Sequence, residues 1–499
     1  MRAGTGVVSL AGAASLTPGE VGGKAASLAQ LQELGLQVPP GFVLTTDVWR
    51  AVQVHGQLPD ATASAVRDAV ADLEVLAGRR FGGDGDPLLL AVRSGAAVPM
   101  PGMMDTLLDV GFGPGTRDAL AATGGDGFAR GCHARFLSAY ATVVLGRRLP
   151  ATTDPDELVD LLGDEVPADP YVQLFEAIVA VFGSWDNQRA HAYRDDRGID
   201  HDLGTAVVVQ AMVFGNRGAA SGSGVASSRD PGTGAPGMCG DFLPASQGDD
   251  VVDGAHRPRP LEELAALSPG AHADLVRTVQ VIEASCGDLV DVEFAVEDDV
   301  LHVLQFRPGA RSAAAAVRIA VDLVDEGVID VAEALQRVSS AQVELAARPA
   351  VAPGAGVPIA TGLGACPGVA TGAICLSPDH VADHDGPVIL VRSETSPWDV
   401  HGLTASAGAL TARGGLVSHA ALVARELDLP TVVGVEELRV DRSAGRIELG
   451  GRVLREGETI TVDGGTGQVH AGEVELVAPA PGSHLTRLRA WRAERPDTA

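Results

Sequence analysis

The sequence predicts a multidomain protein of the α+β or α/β class, in which a mixed helix–strand block precedes a smaller block dominated by short strands. Three observations carry that expectation. At 499 residues the chain exceeds what one hydrophobic core usually organises, so two or three domains are expected. Up to about residue 345, helical stripes such as AASLAQLQELG, with Leu28, Leu31 and Leu34 along one face, alternate with apolar runs such as PLLLAVRSG, AVVVQAMVFG, LVDVEFAVE and LHVLQFR. From about residue 358 the runs GPVILVR, AGALTA, PTVVGV, GRIEL and ETITVDG follow one another, with one good helix that begins near Ser418.

The boundaries follow from composition. Residues 346–357, AARPAVAPGAGV, are small and rich in Pro and Gly without periodicity, and read as a surface linker between domains at 1–345 and 358–478. Residues 479–499 form a polar tail, locally basic, expected as a helix or an unstructured end. With 62 Gly, 30 Pro and only 4% aromatic residues, the chain implies many tight turns around an interior of Ala, Val and Leu.

Charge and cysteine usage exclude several function classes. A formal charge of −28 argues against nucleic-acid and anionic-membrane partners, both of which need a positive surface, so any phosphate site must be local. The five cysteines contain no CxxC, which indicates neither a disulfide framework nor a zinc site and fits a reducing, cytoplasmic setting. The opening MRAGTGVVSLAGAASL has the look of a short leader, but glycines break it and it runs into a candidate functional motif, so no cleaved leader is expected. No uncharged run approaches the roughly 18 residues of a membrane span.

Four stretches could carry chemistry. In VGGKAASLAQLQELG a glycine pair delivers Lys24 to the start of a helix, where backbone N–H groups favour an anion; a solvated lysine is the alternative, and Pro18 and Ala25 exclude a Walker A loop. In VRSGAAVPMPGMMDT a strand ending at Arg93 and Ser94 leads to a Pro/Gly loop with three methionines, framed by Arg93 and Asp105. In VDVEFAVEDDVLHVLQFRPG, strand alternation puts Asp291 and Glu293 on one face and pairs Gln305 with Arg307. These four converge only if the intervening turn has an odd number of residues; convergence would give hard oxygen ligands for Mg²⁺ and an arginine for phosphate, and the alternative is a polar sheet face. Finally, TARGGLVSHAALVAREL places His419 behind a glycine pair and Ser418 at a helix start, where it is either a cap residue or a nucleophile.

Taken in order, GGKAASLAQLQELGLQVPPGF, VRSGAAVPMPGMMDT, FGSWDNQRA, VQAMVFGNRGAASGSGVASSRDPGTG, DVEFAVE, LQFRPGAR, ETSPWDV, TARGGLVSHAALVAR and VDGGTGQVHAG resemble the pyruvate phosphate dikinase family across nearly the whole chain. The resemblance implies an ATP-grasp nucleotide-binding domain followed by a swivelling β/β/α phosphohistidine domain. It also implies that Lys24, Arg93 and Arg135 contact nucleotide phosphates, and that the loop containing Gly222 and Gly224 covers them. Asp291, Glu293 and Gln305 become the metal and nucleotide set, Arg307 a phosphate clamp, and His419, assisted by Ser418, the phosphorylated residue. A helix N-terminus suits that role, because it lowers histidine's pKa and stabilises the phosphate that forms there. Four positions depart from the family pattern: Ala97 and Pro99 replace an arginine and a serine, Val417 replaces a threonine that carries regulatory phosphorylation in some members, and Asp241 replaces a glutamate.

The resemblance stops short of the family's C-terminal barrel for phosphoenolpyruvate and pyruvate. Three functions follow as expectations. The first is an ATP- and phosphate-dependent phosphotransferase that forms phosphohistidine with Mg²⁺ and passes it to pyruvate on a separate barrel protein. The second is a kinase of the same chemistry with another small-molecule acceptor, and the third a non-catalytic regulatory module.

Overall fold

The computed structural model describes residues 4–83, 85–100, 102–150, 154–252, 258–478 and 482–495. The chain divides into two units, the first comprising residues up to 221 with 296–298 and 302–305, the second comprising 222–295, 299–301 and 306 onwards. The expected first domain is thus shared between the units, and the expected second lies within one.

The first unit is organised by a five-stranded antiparallel sheet in the order Val7–Ser9, Gly41–Leu44, Thr205–Ala211, Leu90–Ala96 and Thr106–Val110. Every residue of Thr205–Ala211 is buried, which is why its centre, Ala206–Val209, is apolar without alternation. Helices Asp126–Val143 and Pro170–Gly183 contribute Phe136, Tyr140, Ile178 and Phe182 to the same core. The helix Pro18–Glu33 opens with a capping box between Thr17 and Glu20 and with proline at its first turn. It starts earlier than the glycine pair suggests. Gly22 interrupts it at φ 78°, and Lys24 stands in the first turn after that break. The conformation and the space both require glycine here, since a Cβ would overlap the carbonyl of Gly95 in the strand Leu90–Ala96.

Two further motifs lock together in this unit. Met100 and Met103 are buried against Trp185 and Ala190, Asn187 Nδ2 donates to the Met103 carbonyl at 3.0 Å, and Arg189 pairs with Asp105 at 2.7 Å. Packing thus accounts for Met100 and Met103, the alternative that the methionines of this loop offered. Pro101 of that loop lies outside the described residues.

The second unit contains most of a sheet ordered Arg259–Pro260, Pro236–Pro244, Gly222–Arg229, Val290–Glu297 and Val300–Pro308. It also contains an eight-stranded mixed sheet within 360–471. Three neighbouring strands of the latter, Val388–Arg392, Gly408–Thr411 and Thr431–Val433, run parallel, and the helix His419–Glu426 forms the crossover between the last two. The expected linker is partly ordered: Ala350–Val351 pairs antiparallel with Leu476–Val477, so the chain enters and leaves the eight-stranded region side by side. The tail forms the helix Ser483–Glu494, which packs Leu485 and Leu488 against the helix Ala313–Asp325 and pairs Arg487 with Asp325 at 2.6 Å. Residues 496–499 lie outside the described residues. Among the described residues no helix is long and apolar enough to cross a membrane.

Candidate active site

His419 is positioned by the parallel strands. Arg392 and Thr411 are register partners at the carboxyl ends of adjacent strands, and the loops that follow them bring Thr395 and His419 together. Ligands of parallel sheets characteristically bind at that edge. Thr395 Oγ1 lies 3.3 Å from His419 Nδ1. The loop into the helix is shaped by Gly414, at φ 103°, and by Gly415, where a Cβ would overlap the carboxylate of Asp241. Ser418 is the N-cap: its hydroxyl donates to the Gly415 carbonyl at 2.7 Å and accepts from Ala421 N–H at 3.5 Å. That hydroxyl is therefore already engaged in shaping the loop.

Burial pushes the His419 imidazolium pKa below its ordinary value, and Asp399 opposes the shift. Asp399 is itself held by Arg392 at 3.3 Å and by the backbone of Ser396 at 2.8 Å. Arg425, in the last turn of the same helix, is 2% exposed and donates to the carbonyls of Ala310, Ala365 and Leu416. Asp241 accepts from Val417 N–H at 3.0 Å. Thr395, Asp399 and Arg425 were not singled out from the sequence. Thr395 and Asp399 lie in ETSPWDV, so the motif was visible but not its relation to the histidine.

The carboxylate strand differs from its sequence reading in an instructive way. Its turn consists of Asp298 and Asp299, both at positive φ, so the connection has an even number of residues. Strict alternation would then put Arg307 on the face opposite Asp291. Instead Arg307 Nε lies 3.7 Å from Asp291 Oδ2, and its Nη1 lies 3.8 Å from Glu293 Oε1. The burial pattern of the second strand changes parity on the way, since Leu301 and Val303 are buried but the next buried residue is Phe306, which is the signature of an irregularity in the strand. One irregularity reverses the faces. Gln305 and Arg307 remain two residues apart on that strand.

Asp291 is 1% exposed and its Oδ1 accepts from Ser227 Oγ at 2.6 Å, while its Oδ2 has no hydrogen-bond donor among the described residues. Burial pushes its carboxyl pKa up, against the pull of Arg307 and Arg425. A buried carboxylate oxygen without a donor, beside Glu293, is the donor chemistry that a hard divalent cation such as Mg²⁺ takes. The residues present fit that ion.

The remaining predicted residues have local settings of their own. Arg93 lies opposite Thr106 and Val208 in its sheet and donates to the Leu304 carbonyl at 3.4 Å. Arg135, on the helix Asp126–Val143, has Nε 3.8 Å from the buried Asp109. Gly222 and Gly224 are not in the loop where the sequence reading put them; they lie in the buried strand Gly222–Arg229. A Cβ at Gly222 would overlap the ring of Phe242, and one at Gly224 would crowd the ring of Phe294, so close aromatic packing accounts for both. A cluster of metal-ligating type, His191, Asp195 and His201, lies elsewhere. There His201 Nδ1 accepts from Arg194 Nε at 2.9 Å and Nε2 contacts Asp195 at 2.9 Å, so both ring nitrogens already have partners.

Residues 19–79 and 50–262 match the family described as pyruvate phosphate dikinase, AMP/ATP-binding domain, and residues 384–467 match the PEP-utilising enzyme, mobile domain. The chain is 39% identical to a pyruvate, phosphate dikinase of Rhizobium meliloti (strain 1021), covering 94% of this chain and 58% of that protein. It is 38% identical to one from Clostridium symbiosum, with the same shares, and 39% identical to pyruvate, phosphate dikinase 2 of Zea mays, covering 94% and 57%. The chain thus spans under two thirds of the length of these relatives.

Proposed function

Because the chain belongs to the pyruvate, phosphate dikinase family through its AMP/ATP-binding and mobile domains, we propose that it is a phosphotransferase that forms phosphohistidine at His419 from ATP and inorganic phosphate. In this reading the β-phosphoryl group ends on His419, AMP leaves, and phosphate takes the γ-phosphoryl group as pyrophosphate. The observation that carries the reading is the setting of His419: half-buried, held towards the neutral form, and placed with Nδ1 beside Thr395 at a helix N-terminus. With Nδ1–H donating to Thr395 Oγ1, the lone pair lies on Nε2, and that nitrogen attacks phosphorus. Asp399 stabilises the positive charge that develops on the ring. Loop N–H groups near the helix start receive the phosphoryl oxygens, and Ser418 acts by holding that loop.

Asp291 and Glu293, with Gln305, would hold Mg²⁺, and the ion would supply neutralisation of phosphate charge there. Arg307 keeps both carboxylates oriented and serves the transferred phosphate. Lys24, Arg93 and Arg135 bind nucleotide phosphate. We further propose that pyruvate is the acceptor and that a barrel domain of the dikinase type, supplied by another polypeptide, receives the phosphoryl group. The paired connections at Ala350–Val351 and Leu476–Val477 support movement of the intervening domain as one body.

The test is isotope exchange. With Mg²⁺ and phosphate present, the protein should exchange label between ATP and its AMP and pyrophosphate products, and His419→Ala should abolish exchange. Phosphoenolpyruvate should form from pyruvate when a separately expressed barrel domain is added. Exchange without synthesis for every barrel tried would favour a different acceptor; exchange that survives His419→Ala would reject the phosphohistidine.

A further inference from the structure

The loop that presents His419 already holds a carboxyl group. Asp241 lies in the strand Pro236–Pro244, between Val225 and Pro260 of its neighbours, and is buried. Its Oδ2 accepts from Val417 N–H at 3.0 Å, two residues before His419, and its carboxylate fills the space that a side chain at Gly415 would need. Glycine-rich loops at helix starts characteristically offer such N–H groups to phosphate. The same face is fastened at three more points: Arg425 donates to the Ala310 carbonyl at 3.1 Å, Asp428 accepts from Ala313 N–H at 2.6 Å, and Arg348 donates to the Asp428 carbonyl at 2.8 Å.

We propose that Asp241 is a positioning residue that stands in for phosphate at the His419 loop, docks that loop on the nucleotide-binding sheet while the histidine is unmodified, and is repelled when the phosphoryl group arrives. The inference rests on His419 being the phosphorylated residue. Its physical content is a competition of like charges. The phosphoryl group adds negative charge within two residues of a carboxylate that has one backbone donor, in surroundings that screen charge poorly. Arg425 is the cation acting on that carboxylate, and it also faces Asp291. Arg425 and Arg348 bind uncharged carbonyls, Asp428 follows the far end of the helix His419–Glu426, and Asp399, the other carboxylate acting on the ring, is held by Arg392 and not by the loop, so the repulsion that loosens the loop falls on Asp241. Transfer of the phosphoryl group thereby releases the domain that carries it.

Amide hydrogen exchange on the full chain tests this, following peptides that cover 310–316 and 412–428. His419 is phosphorylated chemically with potassium phosphoramidate, which needs no kinase activity, and His419→Asn controls for modification elsewhere. Protection of both segments should fall by about tenfold on phosphorylation in the unmodified sequence, the change expected of about 1.4 kcal/mol. Asp241→Asn keeps an acceptor for Val417 N–H but removes the charge, and should remain within about twofold of its unphosphorylated protection. His419→Asp supplies a negative charge without any reagent, and should open the same segments when Asp241 is present but not with Asp241→Asn. Unchanged protection on phosphorylation, or equal opening with and without the Asp241 charge, overturns the proposal. Opening with phosphoramidate in a protein that ATP fails to label would uphold the proposal and reject the kinase reading instead.

Discussion

Asp291 and Asp241 occupy the same sheet, separated by the strand Gly222–Arg229, and the contrast between them organises the chemistry of this protein. Both are buried, and burial pushes both carboxyl groups above the ordinary aspartate value. Asp241 has its Oδ2 satisfied by a backbone N–H from the His419 loop. Asp291 has one oxygen bonded to Ser227 and the other without a donor, at 3.7 Å from Arg307. An unsatisfied buried oxygen costs on the order of 1–3 kcal/mol, so its retention points to a ligand rather than to stability.

The largest effect should separate them directly. Asp291→Asn should lower phosphohistidine formation by about a thousandfold, the several kcal/mol that mispositioning a catalytic metal costs, while leaving the urea unfolding midpoint unchanged or raised. Mg²⁺ should raise the unfolding midpoint of the unmodified protein and not that of this variant, since an ion that binds only the folded state stabilises it. Loss of stability without loss of the Mg²⁺ response would break the comparison.

The intervening strand gives the next effect. Gly224→Ala forces a methyl group against Phe294 and should cost about 1–3 kcal/mol of stability with the KM for ATP unchanged. A raised KM at unchanged stability would return Gly224 to the phosphate-covering role that the sequence suggested. Asp241→Ala should be milder, costing about 1–2 kcal/mol by leaving Val417 N–H unpaired, and its stability should not respond to Mg²⁺ differently from the unmodified protein.

The smallest effect concerns pH. The His419 pKa lies below 6.5 in the folded state, so the folded protein binds fewer protons at that site than the unfolded chain does below this value. Its contribution to stability is therefore present above pH 6.5 and is lost as pH falls through the folded value. The rate of phosphohistidine formation should accordingly be flat at neutral pH, and its His419 limb should fall only below 6.5. Asp399→Asn removes the group that favours the charged ring and should move that limb to still lower pH. A limb above 6.5 in the unmodified protein would contradict the half-buried, neutral imidazole.

Much of this was legible in the chain, for identifiable reasons. Long apolar runs and helical stripes fixed the strands Leu90–Ala96, Thr205–Ala211, Val290–Glu297 and Val388–Arg392, because burial on one or both faces leaves a periodic record. Glycine identities were legible but their reasons were not. Gly22 answers to the backbone of Gly95, Gly224 to the ring of Phe294, and Gly415 to Asp241, each a neighbour far along the chain. The slip between Val303 and Phe306 could not be read either, since parity rules assume an unbroken ladder. The contact between Asp241 and Val417 spans 176 residues, and only the acidic residue ahead of FLPASQG hinted at it.

The central claim, that His419 accepts phosphoryl from ATP, is tested most directly by incubating the protein with Mg²⁺, phosphate and ATP labelled at the β-phosphate. A stoichiometric phosphoprotein is expected, labile in acid and stable in base, located by mass spectrometry in the peptide containing His419, and absent from His419→Ala. Label that is stable in acid, or that persists in His419→Ala, would contradict it.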